Sequence, residues 1–205
     1  MSAPAPSTIM LLSPAKLSGQ RGRSLLRSEA AFPLAKRLRS REGAPLAEVF
    51  SFVSALYFRG KVSYARAFAA SADGSPAAFV MTAGGGLCGL DEPVGLERLR
   101  GWASVSIDAS NPHFTVPLLR QTSALLDAHA PTTRFVLLGS IASDKYVTPL
   151  LEIFGARLLF PSEFLGRGDM SRGALLLKAV REGRELEYAE VRAARHSSDP
   201  PPDRL

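Results

Sequence analysis

Short apolar segments alternating with stretches of helical periodicity are the feature that most narrows what this chain can fold into. Residues 9–12, 77–82, 134–138, 157–160 and 186–191 are apolar, too short for core helices, and bounded by Gly, Ser, Pro or charge, the pattern of buried strands. Helical patterns lie between them. Leu25, Leu26, Ala30, Leu34 and Leu38 recur near helical spacing, with Pro33 marking a kink or a new start. Pro45 suits the first turn of a helix that puts Leu46, Val49, Phe50, Val53 and Leu56 on one face and ends near residues 57–60. Further helices fit residues 62–70, 118–129, a segment that Ser143 could cap, and 170–181. Strands separated by helices need crossover connections, so the expectation is a single α/β domain, its mostly parallel or mixed sheet covered by helices. Residues 96–107 read as a short helix plus a strand, and 108–117 as loop. Residues 1–7 read as a flexible N-terminus, 8–192 as the domain, and 193–205, polar with three consecutive prolines, as a disordered tail.

Composition excludes several function classes. Apolar residues make up 46% of the chain, enough for a continuous core, yet no apolar run approaches the roughly 20 residues that cross a bilayer. No basic segment precedes residues 9–12, so the expectation is a soluble cytoplasmic protein with no membrane partner. Cys88 is the sole cysteine, which rules out an internal disulfide; it has no Cys or His neighbour at metal-ligand spacing and reads as a small packed thiol. His113, His129 and His196 are scattered, against both a zinc site and a Ser-His-acid triad. No metal and no cofactor are expected. Gly84, Gly86 and Gly89 spell the dinucleotide pattern, but it runs into Leu90-Asp91-Glu92-Pro93 and not into the helix whose N-terminus would hold a pyrophosphate.

The charge points to an anionic partner. Lys and Arg number 25 against 19 Asp and Glu, a net charge of +6. Lys16, Arg21, Arg23, Arg27, Lys36, Arg37, Arg39 and Arg41 face a single acid, Glu29, within one stretch, a density suited to neutralising phosphates. A solvated helix face accounts for the same residues equally well.

Four segments place polar groups at the end of an apolar element, where α/β proteins bind ligands. They are Ser13-Pro14-Ala15-Lys16, Tyr57-Phe58-Arg59-Gly60-Lys61-Val62-Ser63-Tyr64, Ala142-Ser143-Asp144-Lys145-Tyr146 and Gly166-Arg167-Gly168-Asp169-Met170-Ser171-Arg172. The second mixes cations with aromatics, suited to phosphate contact and base stacking. In the fourth, glycines allow close backbone approach and a helix start offers free N–H groups to an anion. Taken singly, caps, terminal glycines and solvated charges explain each of them.

Together and in this order the segments resemble the YaaA peroxide-stress family, with Ser13 to Lys16, Phe58 to Tyr64, Thr82 to Pro93, Ala142 to Tyr146 and Gly168 to Arg172 corresponding to its motifs. The correspondence spans roughly four-fifths of the chain. Gly84 and Gly85 depart from the lysine and aromatic of a related group of bacterial domains, Asp169 interrupts the last motif, and residues 96–117 align with no family segment. The resemblance implies a YaaA-like α/β fold with a basic cleft, DNA binding and a part in limiting oxidative damage to DNA.

Three functions follow as expectations. In the first, a nucleic-acid-binding protein, Lys16, Arg59, Lys61, Arg167 and Arg172 contact phosphates, Tyr64 or Tyr146 stacks on a base, and Ser13, Lys145 and Ser171 complete the binding set. In the second, an enzyme acts on a nucleobase or nucleotide, with Lys16 as nucleophile or phosphate clamp and Asp144 as acid or base; a lysine nucleophile must be desolvated to lower its pKa. In the third, an interaction module, the four segments lie far apart.

Overall fold

Strand β1 (Thr8–Leu12) has all five residues buried, so both of its faces are covered and it sits inside a sheet. The computed structural model, which describes residues 7–196, places it there. The sheet has six strands in the order β4-β3-β1-β6-β7-β8. Strands β3 (Ala78–Thr82), β1, β6 (Arg134–Leu138) and β7 (Leu158–Pro161) run parallel; β4 (Gly86–Gly89) and β8 (Tyr188–Glu190) flank them antiparallel. The register aligns Met10 with both Ala78 and Val136. Strands β2 (Ala44–Pro45) and β5 (Pro93–Val94) form a separate antiparallel pair. The described chain is thus one α/β domain with a mixed, helix-covered sheet.

Connection handedness sorts the helices into two layers. From β1 the chain passes through α1 (Gln20–Leu25), α2 (Pro33–Arg39) and α3 (Leu46–Phe68) to β3 on one side; from β6 it passes through α6 (Asp144–Phe154) to β7 on the other. Right-handed crossovers running in opposite directions put α3 and α6 on opposite faces. Helix α7 (Asp169–Arg181) packs on α3, and α5 (Pro112–Asp127) packs on α6. Because the chain leaves β1 and β6 in opposite directions, a crevice opens between their carboxyl ends, and it is there that Ser13 and Gly139 lie.

Several expectations are corrected. Pro33 does begin a new helix, at its first position. The break expected at 57–60 falls instead at Ala55, whose φ of 47° and ψ of −123° interrupt α3, while Gly60 is helical. Residues 96–107 hold one helix, α4 (Leu96–Ala103), and no strand. The segment 108–117 is not loop throughout: Asn111 accepts a side-chain bond from the His113 N–H at 3.1 Å and Pro112 takes the first turn of α5, an Asn-Pro start the apolar periodicity does not show. Glycines 84–86 turn β3 into β4, where a Gly86 φ of 68° is easy only for glycine. The final strand is shorter than 186–191 and is followed by α8 (Val191–His196), which takes in the first residues of the expected tail. Ser7, assigned to the flexible terminus, is buried, with its carbonyl accepting from Arg134 and its hydroxyl from Ala72. Residues 1–6 and 197–205 lie outside the described residues.

Candidate functional site

The inward face of α3 carries Tyr57, Lys61 and Tyr64 at i, i+4 and i+7, all buried. A lysine there must find acceptors inside the protein, and Lys61 finds them where β1 ends. Its Nζ donates to the Ser13 carbonyl at 2.8 Å and the Ser13 hydroxyl at 2.9 Å, with the rings of Tyr57 and Phe58 4.5 and 4.7 Å away. Only 2% of Lys61 is exposed. Burial pushes its pKa down to about 7, opposed by the Asp169 carboxylate on α7. Near neutrality this lysine changes between an ammonium and a free amine with a lone pair within reach of Ser13.

Two tyrosines complete the cluster. The Tyr146 hydroxyl donates to the Ser140 carbonyl and accepts from the Ser140 N–H, both at 3.1 Å. Burial raises its pKa, and the Ser13 hydroxyl and Arg172 are close enough to act on it. Gly139 makes this convergence possible: a Cβ there would lie 2.8 Å from Ser13 Cβ and 3.2 Å from the Tyr146 hydroxyl. Tyr57 is buried, and its hydroxyl has no hydrogen-bond partner. Burial raises its pKa too, with the Arg172 guanidinium opposing that shift from nearby. Arg172 is itself largely enclosed, donating to the Phe164 carbonyl at 3.3 Å and lying 3.6 Å from Asp169.

Beside this cluster lies a half-open cleft of about 560 Å³. Pro14, Lys16 and Tyr146 border it, Lys145 adds a second cation, and Trp102, Val105 and Ile107 form an apolar wall.

The structure therefore brings Ser13, Lys61, Tyr146 and Arg172 together, with Lys16 and Lys145 on the adjoining cleft. It separates the rest. Tyr64, expected to stack on a base, is fully buried; its hydroxyl bonds that of Tyr188 at 2.8 Å and accepts from the Leu186 N–H at 2.8 Å, leaving no free ring face. Lys61, expected at a phosphate, is an interior residue. Lys16 is exposed, without the desolvation a lysine nucleophile needs. Asp144 does not border the cleft and pairs with Arg195. Arg59 faces another groove, of about 850 Å³, shared with Arg21 and with Phe32 and Phe52, whose rings stack 5.2 Å apart. Arg167 donates to Ser171 at 3.1 Å beside Lys178 and Arg184, in a third place.

Sequence reading missed Tyr57, Trp102 and Gly139 as site residues. The i, i+4, i+7 spacing of Tyr57, Lys61 and Tyr64 was the available signal for an inward-facing lysine. Cys88 is a packed thiol, as its sequence context suggested, 2% exposed. Among the described residues no His, Cys, Asp and Glu cluster could hold a metal, and no helix is long and apolar enough to cross a membrane. Comparison with family models, with curated proteins and with solved structures finds no match to this chain.

Proposed function

We propose that the chain is an enzyme acting on a nucleobase or nucleotide held in the cleft at the carboxyl ends of β1 and β3. The observation that carries this reading is the make-up of the cleft: two exposed lysines, Lys16 and Lys145, line it together with an apolar surface containing Trp102. An anionic ligand with a flat apolar part matches both kinds of lining, and the cleft's position is where open α/β sheets bind ligands. The volume lies within the few hundred to 1,000 Å³ of small-molecule pockets. Trp102 is the chain's only tryptophan, so its emission reports directly on the cleft. Titration with a nucleoside monophosphate is expected to change that emission, and Lys16→Ala or Lys145→Ala to weaken binding about tenfold each. An unchanged emission at millimolar ligand overturns the reading.

A second reading, a DNA-binding protein resembling the YaaA family and protecting DNA under oxidative stress, is favoured by a different surface. Arg21, Arg23, Arg27, Lys36, Arg37, Arg39 and Arg41 are all exposed, and Arg21 shares its groove with Arg59 and two stacked phenylalanines. Binding to short duplex or single-stranded DNA should then fall steeply with salt and weaken in Arg21→Ala and Arg59→Ala. Salt-independent binding, or none, sinks it.

A further inference from the structure

We propose that Ser13 is a nucleophile and Lys61 its general base, so that the cleft takes an acyl group carried on an anionic, aromatic leaving group. The inference rests on the cleft being a small-molecule site and adds the reaction performed there.

The geometry supplies each role. Ser13 itself is buried, 7% exposed, just behind the cleft: it stands at the crevice between β1 and β6, directly before Pro14, which lines the cleft, and Tyr146 beside it lines the cleft too. Lys61 Nζ lies 2.9 Å from the Ser13 hydroxyl and 2.8 Å from its carbonyl. In its neutral form the amine can donate to the carbonyl and accept the hydroxyl proton, the arrangement of an activated serine. Charged and titratable groups facing Lys61 are few. Asp169 acts on it from α7; Tyr57 lies against it on α3, with Arg172 next to Tyr57; Tyr146 reaches the cluster from α6 through Ser13. Burial outweighs Asp169 and leaves the amine free at mildly alkaline pH. The Tyr57 hydroxyl, buried and without a partner, is an uncommitted donor in the same cluster and suits an oxyanion.

The steps balance without a further reagent beyond water. Lys61 takes the Ser13 proton as Oγ bonds the carbonyl carbon of an ester, thioester or amide, and the carbonyl electron pair moves to oxygen, which Tyr57 stabilises. The pair returns, the bond to the leaving group breaks, and that group takes the proton from the Lys61 ammonium. Water, deprotonated by Lys61, then attacks the acyl-Ser13 ester. Its collapse frees a carboxylic acid and returns the proton to Ser13.

The full chain treated with an alkyl fluorophosphonate tests this, since Ser13 Oγ would bond phosphorus and displace fluoride; p-nitrophenyl acetate serves as a smaller acyl donor. Mass spectrometry is expected to find the adduct on Ser13, at a rate that rises with pH through an inflection near 7. Lys61→Met should slow it about 100-fold or more. Tyr57→Phe, which removes only an unpartnered hydroxyl, should leave the fold intact and slow labelling by about 100-fold. No adduct on Ser13 with either reagent, or a wild-type rate that ignores pH between 6 and 9, overturns the proposal. A nucleoside monophosphate reads the other question separately. If it leaves Trp102 emission unchanged while Ser13 is still labelled, the nucleotide reading falls and the dyad stands.

Discussion

Gly60 of α3 and Gly173 of α7 meet backbone to backbone: a Cβ on Gly60 would lie 2.7 Å from the Gly173 carbonyl oxygen, and one on Gly173 would lie 2.8 Å from Tyr57 Cα. Neither neighbour is a side chain that could swing away. Gly173→Ala must therefore push α7 off α3, at a cost of about 1–3 kcal/mol in unfolding free energy. The same displacement moves Tyr57 and Lys61 relative to Ser13. Urea denaturation should show the loss, and fluorophosphonate labelling of Ser13 should slow beyond what the unfolded fraction explains.

Lys61 gives stability a pH dependence with a definite sign. Its folded pKa, about 7, lies below its ordinary value of 10.5, so between those limits the unfolded chain holds a proton that the folded chain does not. Wild-type stability should rise with pH across that window relative to Lys61→Met, by at most about 1.4 kcal/mol per pH unit, and the difference should be flat below pH 6. Thermal unfolding of both proteins at pH 6, 8 and 9.5 measures it.

Tyr64 ties α3 to β8 through Tyr188, and to the segment before it through the Leu186 N–H. Tyr64→Phe leaves that buried N–H without an acceptor and should destabilise the fold by about 1–3 kcal/mol. Since the ring is enclosed, DNA affinity of the folded variant should equal that of the wild type. Denaturation and a binding isotherm on one preparation check both.

Ala55 holds a backbone conformation that L-residues seldom adopt, with φ at 47°. Ala55→Gly should remove the strain and raise stability by about 1 kcal/mol or more, because the residue sits at a break where glycine's helix penalty does not apply. A higher denaturation midpoint with an unchanged slope would show it.

The layered plan of the molecule was legible because period-2 and period-3.6 patterns report burial directly: residues 134–138 and the Pro33 start could be read from type and spacing alone. Edge strand β4 could not. Its Gly-Leu-Cys-Gly is too short to show alternation, and it pairs through contacts supplied by β3 and α5. The Asn111-Pro112 start was written in the chain but hidden by Pro117, which sits inside α5. At the site, Ser13, Lys16 and Tyr146 were legible as strand-end and helix-start residues. Lys61 was legible as a cation but misplaced, because charge in a sequence suggests surface, and only the packing of α3 on β1 and α7 shows that the helix turns this lysine inward.

At β4 the Gln121 side chain accepts from the Leu87 N–H, a main-chain group that an outer strand leaves open, and donates to the Gly85 carbonyl in the turn just before it. At the other margin β8 is only three residues long and runs straight into α8. Neither border offers a template long enough for a strand from another copy to zip onto. Among the described residues the sheet thus ends in short borders that present little open backbone, which disfavours self-association by strand addition, the route toward fibrils.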